Sequence, residues 1–168
     1  MMIRLPYLHV VSALIYLGGM IFIGGLLIPS ARRLLEARKI LQAIGQVVGL
    51  VHPVLLASLG LLIMTGAAML TDLKGALGNR YFTQLFATLG PKLFVVFILA
   101  LLNSYQFFGL GLPLARSMAE GVEGSVTLPP ERMAAMLTQM GRLQACAWTA
   151  VALGGAAGAL GLAMRHGW

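Results

Sequence analysis

Four long apolar segments dominate this chain and leave little sequence between them. The first runs from Leu5 to Ile28, and the others cover roughly residues 44–70, 89–112 and 143–164. About 20 consecutive apolar residues are enough to cross the hydrocarbon core of a bilayer as an α-helix. The sequence therefore predicts one transmembrane domain over residues 1–168, an all-α integral membrane bundle of four helices.

The composition agrees with this fold class. Hydrophobic side chains make up 59% of the 168 residues and charged ones only 10%, whereas about a quarter of an ordinary soluble domain is charged. The first apolar stretch is longer than the h-region of a secretory signal, and no A-x-A cleavage pattern follows it. We therefore expect the first segment to remain as a membrane helix.

The basic residues lie mainly where the helices are expected to end, and they give a net charge of +7. Those in the first and third connections are Arg32, Arg33, Arg38, Lys39, Arg116, Arg132 and Arg142, seven of the twelve Lys and Arg. The positive-inside rule then favours both termini outside, in a bacterial inner membrane. This placement explains the charge, so we expect a lipid bilayer and no nucleic acid as a partner.

The connections predict that the even-numbered helices extend beyond the membrane. Residues 30–43 lack Pro and Gly, which predicts that the second helix begins near Leu34. The polar, glycine-containing stretch 120–127 predicts a loop. Pro129 and Pro130 then supply a helix start, and that helix is predicted to continue to Arg165.

A short pattern, P-x-A-R, ends both the first and the third apolar segments, at Pro29 and Pro113. Two helical hairpins of the same orientation would place it at equivalent positions. Four residues also recur by chance, so the sequence leaves open whether the hairpins are duplicated.

One histidine, His9, lies inside the first apolar segment, in the pattern H-x6-Y-x-G-G that it forms with Tyr16, Gly18 and Gly19. An ionisable group in a membrane helix is costly and usually functional. Two interpretations follow: an imidazole that binds a metal or cofactor, or an imidazole that hydrogen-bonds to water or headgroups near the interface.

Depth along the helices gives His9 its candidate neighbours. Met64, Met69, Met164 and His166 are expected at the same outer level, whereas His52 is expected deeper, toward the basic side. Imidazole and thioether ligands suit haem iron and Cu(I) alike. Methionine is also a common filler in helix packing, so each of these thioethers has a purely structural interpretation.

Two further candidates lie toward the basic side. His52 is either a second, inner metal ligand or a buried imidazole that hydrogen-bonds to Ser104, Tyr105 or Gln106. Met136 and Met140 are spaced i, i+4 on the last helix, which suits Cu(I) ligation on one face and equally a packing stripe.

Lys92 follows Pro91 at the expected start of the third membrane helix. It can extend toward the interface, as lysines near helix ends do. It can also hold a haem propionate at the outer level, and this hypothesis links Lys92 to His9. Tyr16 and His166 are further candidates for contact with such a cofactor.

Several motifs occur in a characteristic order. They are Leu8-His9, Tyr16, Gly18-Gly19, Thr65-Gly66, Pro91-Lys92-Leu93, and Asn103 followed by Pro113. In this order they resemble the copper resistance protein D family and the related HemJ-type protoporphyrinogen oxidases. The HemJ-type pattern has a histidine near Asn103, and the third segment of this chain has none. The resemblance implies four or more membrane helices and either copper passage or haem b binding, with His9 and Lys92 at the functional positions.

These observations support one leading hypothesis and three alternatives. The leading one is a haem b-binding membrane protein that transfers electrons, as a subunit or partner of a larger redox complex, with His9 as an axial ligand. The alternatives are a copper-handling membrane protein, a HemJ-type oxidase, and a structural subunit without a cofactor. The sequence does not decide whether the protein is an enzyme.

Overall fold

The structure is a computed structural model, and it describes residues 4–33, 38–78, 89–120 and 130–165. The secondary structure of these residues is helical. Side-chain placements are described within residues 5–33, 45–78 (except 73, 76 and 77), 89–116 and 131–162. The predicted helix start near Leu34 lies outside the described residues, as do residues 121–127 of the predicted loop, whereas Glu120 belongs to a helix.

The first membrane helix consists of three consecutive pieces: α1 (Arg4–Ile21), a π-helical segment (Phe22–Leu27) and α2 (Ile28–Arg33). A continuous helix, α3 (Arg38–Leu77), forms the second. The third repeats the arrangement of the first, with α4 (Gly90–Ser104), a π-helical segment (Tyr105–Gly111) and α5 (Leu112–Glu120). The fourth is α6 (Pro130–Arg165), which confirms the unbroken helix predicted from Pro130.

Four helices are long and apolar enough to cross a membrane, over Leu5–Arg33, Gly45–Asp72, Gly90–Arg116 and Glu131–Leu162. They form an all-α bundle, as the sequence predicts. A buried core receives side chains from all four, among them Ile23, Leu55, Leu110 and Leu143. Large apolar side chains such as Leu50 and Phe94 lie on the outer surface, where a membrane protein contacts lipid.

Neighbouring helices run antiparallel. In the first and second membrane helices, His9 lies against Gly66 and Gly19 lies against Leu55, so residue numbers rise along one helix as they fall along the other. The first and fourth are related in the same way, because Leu17 lies against Gly154 and Arg32 against Gly141. The end that carries Arg32 and Arg142 is called the inner end below, and the opposite end the outer end.

The two π-helical segments each end two residues before a proline, Pro29 or Pro113. Proline lacks an N–H and its ring clashes with the carbonyl four residues earlier, which disturbs the α-helical hydrogen bonds at that point. The N–H of Ile28 donates to the carbonyl of Ile23, and that of Leu112 to the carbonyl of Phe107. The P-x-A-R pattern therefore coincides with the same backbone distortion in both hairpins. This agreement favours the interpretation that the two hairpins are duplicates of each other.

The first π-helical segment also receives a hydrogen bond from another helix. In an α-helix the Gly24 carbonyl would accept from the N–H of Ile28, which instead donates to Ile23. The Gln144 side chain of α6 donates to the Gly24 carbonyl at 2.9 Å. A distorted helix deep in a membrane is tolerated where a neighbour satisfies its backbone in this way.

Two adjacent glycines of α1 provide a test of this packing. A Cβ on Gly19 would overlap the buried side chain of Leu55, whereas a Cβ on Gly18 would meet nothing within 4 Å. We expect Gly19→Ala to lower the free energy of unfolding by about 1–3 kcal/mol, since overpacking displaces a core side chain. Gly18→Ala should raise it by up to about 1 kcal/mol through helix propensity. Unfolding of the detergent-solubilised variants measures both, and equal effects would contradict this packing.

Candidate functional site

His9 is held by a hydrogen bond that fixes the orientation of its ring. Its Nδ1 lies 2.8 Å from Thr65 Oγ1, and that hydroxyl lies 2.7 Å from the Leu61 carbonyl and 3.1 Å from the Leu62 carbonyl. A hydroxyl has one proton, and carbonyls only accept. In the tautomer that is protonated at Nδ1, Thr65 donates to its own helix and accepts from His9 Nδ1–H, which leaves Nε2 of the neutral ring unprotonated and able to bind a ligand.

Two glycines make room for this arrangement. The His9 ring packs on Gly66, where an added Cβ would lie 3.4 Å from the ring carbon Cε1. The ammonium of Lys92 packs on Gly161 of α6, 3.1 Å from the position of an added Cβ. Side chains or backbone from all four membrane helices thus meet at the outer end of the bundle.

Lys92 and His9 lie close enough to interact electrostatically, although they are 83 positions apart in the sequence. The site combines the imidazole of His9 with the amino group of Lys92. Such a pair suits a ligand that has both a metal centre and anionic groups.

The predicted thioether ligands of the outer level are placed less favourably. Met64 is 72% exposed on the outer surface of the bundle, whereas its neighbour Thr65 faces inward. Met69 is also exposed. The backbone of Met164 belongs to α6 but its side chain is not described, and His166 lies outside the described residues.

His52 lies deeper, as predicted, because it precedes Gly66 by 14 residues, about 21 Å along a helix. Its hydrogen bond differs from the expected one: Nδ1–H donates to the Val48 carbonyl of its own helix at 2.9 Å, while Ser104 and Tyr105 lie on the exposed face. Nε2 points at Gly111, where an added Cβ would stand 2.9 Å away. The backbone of the third membrane helix thus occupies the side from which a metal would approach.

Met136 and Met140 belong to the buried core, at 5% and 0% exposure. They pack there with residues such as Leu143 and Ala147 of the same helix. Of the two interpretations that their spacing allowed, this placement supports the packing stripe.

Tyr16 is also fully buried, and its hydroxyl has no hydrogen-bond partner among the described residues. It lies one heptad along α1 from His9, hence on the same face of the helix. The structure therefore places Tyr16 below His9 toward the inner end, in the interior of the bundle.

Sequence reasoning missed the role of Thr65 as the partner of His9. The Thr65-Gly66 pair was noted as a motif, but only the fold shows that both residues face the imidazole. It also missed Gly161 and Gln144. The half-buried amide of Gln144 is a polar group inside an apolar segment, which was the available signal.

Within the described parts of the chain, no group of three or more His, Cys, Asp or Glu side chains could hold a metal ion. No protein-family model matches the chain. Neither a curated protein nor a solved structure matches it either. The geometry and chemistry of the site itself are therefore the basis for a functional assignment.

Proposed function

We propose that this integral membrane protein binds one haem b at the outer end of the bundle, with His9 Nε2 as an axial ligand. The observation that carries the proposal is the hydrogen bond from His9 Nδ1–H to Thr65. Metal-binding histidines usually donate their second ring nitrogen in this way, which orients the ring and makes it more basic. Haem b supplies one-electron chemistry when it is bound.

Lys92 supports haem over copper as the ligand. An ammonium next to the imidazole repels a bare copper ion but attracts the carboxylates of a haem. The exposed position of Met64 also removes one of the thioethers that Cu(I) transfer would use. Met164 and His166 remain the sequence-based predictions for the second axial position.

The wider assignment follows from the same proposal. A small bundle that holds one haem near a membrane surface would transfer electrons as a subunit or partner of a larger redox complex. Arg32, Arg33, Arg116, Arg132 and Arg142 all belong to the inner ends of their helices. By the positive-inside rule this supports a cytoplasmic inner end and outside termini in a bacterial inner membrane.

A haem titration of the detergent-purified apoprotein tests the proposal. We expect a Soret band that saturates at one haem per chain, with iron and no copper in the purified protein. A colourless protein that binds copper would select the copper-handling alternative. A protein that binds neither haem nor copper would support the alternative of a structural subunit without a cofactor.

The same titration can test the role of Lys92 separately from that of His9. Haem dimethyl ester lacks the two free carboxylates, so the wild-type protein should bind it roughly 10–100-fold more weakly than haem, the effect of one charge-assisted hydrogen bond. In Lys92→Met the two ligands should bind alike. If the preference for free haem persists in this variant, Lys92 does not hold a carboxylate.

A further inference from the structure

An arginine crosses the gap between the first and fourth membrane helices at their inner ends. Arg32 belongs to the last turn of α2, and its Nη2 lies 3.0 Å from the position that a Cβ on Gly141 of α6 would occupy. The absence of a side chain at Gly141 lets the guanidinium lie directly on the backbone of α6. The Arg32 side chain is nevertheless exposed, so its charge remains accessible at the mouth of the gap.

Two further arginines flank Arg32. Arg33 follows it in α2, Arg142 follows Gly141 in α6, and both side chains are exposed. Consecutive Cα atoms are about 3.8 Å apart, so Arg32 Nη2 lies no more than about 8 Å from the Cα of Arg142. An extended arginine side chain spans most of that distance. The three guanidiniums can therefore reach one anion at the mouth of the gap.

The inner end provides little negative charge near these arginines among the described side chains. Glu131 is the acidic side chain that the structure describes at this end, and it precedes Arg142 by 11 residues, about 16 Å along α6. Arg116 and Arg132 add further positive charge. Guanidinium groups pair best with planar or tetrahedral oxyanions such as carboxylate and phosphate. The phosphate of a membrane lipid has this chemistry, and it lies at the depth where membrane helices end.

An indole lies on the same face of α6, deeper in the membrane. Trp148 follows Gly141 by seven residues, about two helical turns. A Cβ on Gly24 of the first membrane helix would lie 3.3 Å from Trp148 Nε1, and one on Gly25 would lie 3.6 Å from Cζ2. Trp148 and Gly25 are both exposed. The two helices thus present an apolar surface to lipid directly below the arginines.

The depth of this surface suits the acyl chain of a lipid whose phosphate contacts the arginines. Trp148 lies six residues, about 9 Å, along α6 from Arg142, and Gly25 lies seven residues before Arg32. The headgroup layer on each side of a bilayer is roughly 5–8 Å thick. An acyl chain that begins beneath this layer therefore contacts Trp148 and Gly25.

We propose that this gap binds one anionic phospholipid of the leaflet at the inner end. Its phosphate contacts Arg32, Arg33 and Arg142, and an acyl chain lies along Trp148 and Gly25; these five residues are called the lipid site below. Basic residues at the ends of membrane helices attract acidic headgroups. A zwitterionic lipid also has a phosphate, but the arginines repel its ammonium group. The site therefore selects lipids by their net negative charge.

Quenching of Trp148 fluorescence by brominated lipids tests the proposal. The chain has two tryptophans, so Trp168→Phe makes Trp148 the single indole of the parent protein. In vesicles, a brominated acyl chain quenches an indole that it contacts. Mixtures of brominated phosphatidylglycerol with unlabelled phosphatidylcholine, and the reverse, give the relative binding constants of the two lipids at Trp148. We expect a roughly 5–30-fold preference for phosphatidylglycerol, since each arginine near an anionic headgroup contributes about fivefold.

Two charge-matched double variants of the parent protein distinguish a local site from general attraction. Arg32→Gln with Arg142→Gln removes two guanidiniums from the lipid site, and the preference should fall to about twofold or less. Arg116→Gln with Arg132→Gln removes the same charge from the same end and should keep the parent preference. Arg116 belongs to the third membrane helix, and Arg132 lies about 15 Å along α6 from Arg142, away from the membrane. Brominated phosphatidylcholine alone should quench all three proteins equally, because Trp148 keeps its contact with lipid.

Three results would overturn the proposal. Equal affinity of the parent protein for the two lipids would make Trp148 a contact of ordinary boundary lipid. An equal loss of preference in the two double variants would assign it to the total charge of the inner end. A preference that survives in Arg32→Gln with Arg142→Gln would place the anionic lipid on other residues. The measurement compares lipids and requires no haem, so its outcome is independent of the proposed cofactor.

Discussion

His9→Ala is expected to abolish stoichiometric haem binding, with no Soret band when one equivalent of haem is added to the apoprotein. In the proposed site, the bond from His9 Nε2 to the iron is the main interaction between this chain and the haem. Its loss should cost more than the roughly 10–100-fold that removal of a supporting hydrogen bond costs a metal site. Absorption titrations of the wild-type protein and the variant measure the difference.

Free imidazole provides the control for this variant. Removal of the His9 side chain opens a space next to Thr65 and Gly66, and imidazole added to the solution should enter it and restore the Soret band. Restoration shows that the variant is folded and that the missing ring alone explains the loss. A His9→Ala protein that binds haem as the wild type does would assign the haem to another ligand.

Much of the fold follows directly from the sequence. Long apolar segments predict the four membrane helices, since a bilayer allows few other structures. The start at Pro130 likewise predicts the long last helix, because proline is favoured in the first turn. These features depend on local composition, which can be read directly from the sequence.

The π-helical segments could be predicted only in part. A proline inside an apolar segment indicates a disturbed helix at Pro29 and Pro113, but not the form of the disturbance. That form depends on what neighbours can satisfy the released carbonyls. Gln144 has this role for Gly24, and it is 120 positions away in the chain.

The sequence predicts how deep each candidate residue lies in the membrane, but not which side of each helix faces the interior of the bundle. Counting residues from the basic end places His9 and Lys92 at one level, and the structure brings them together. Counting residues does not show which side of each helix faces inward. Met64 and Thr65 are neighbours in sequence, yet Met64 faces outward and Thr65 meets His9. Apolar residues surround these helices on all sides, so the pattern gives little rotational information.

Thr65→Val is expected to weaken haem binding by roughly 10–100-fold, the usual cost of losing a supporting hydrogen bond at a metal site. Valine has the shape of threonine but cannot accept the proton of His9 Nδ1. The imidazole then becomes less basic and donates less charge to the iron, so the reduction potential of the bound haem should also rise. Thr65→Ser, which keeps the hydroxyl, should restore both properties.

Thr71→Val supplies the matched control for this prediction. The Thr71 hydroxyl also donates to a carbonyl of its own helix, that of Ala68 at 2.7 Å, but it lies on the exposed face. Its replacement should therefore change helix stability alone and leave haem affinity and potential unchanged. Equal effects of Thr65→Val and Thr71→Val would contradict a specific role for Thr65, because general loosening of the second helix would then explain both. A selective effect at Thr65 identifies the imidazole it supports as the iron ligand.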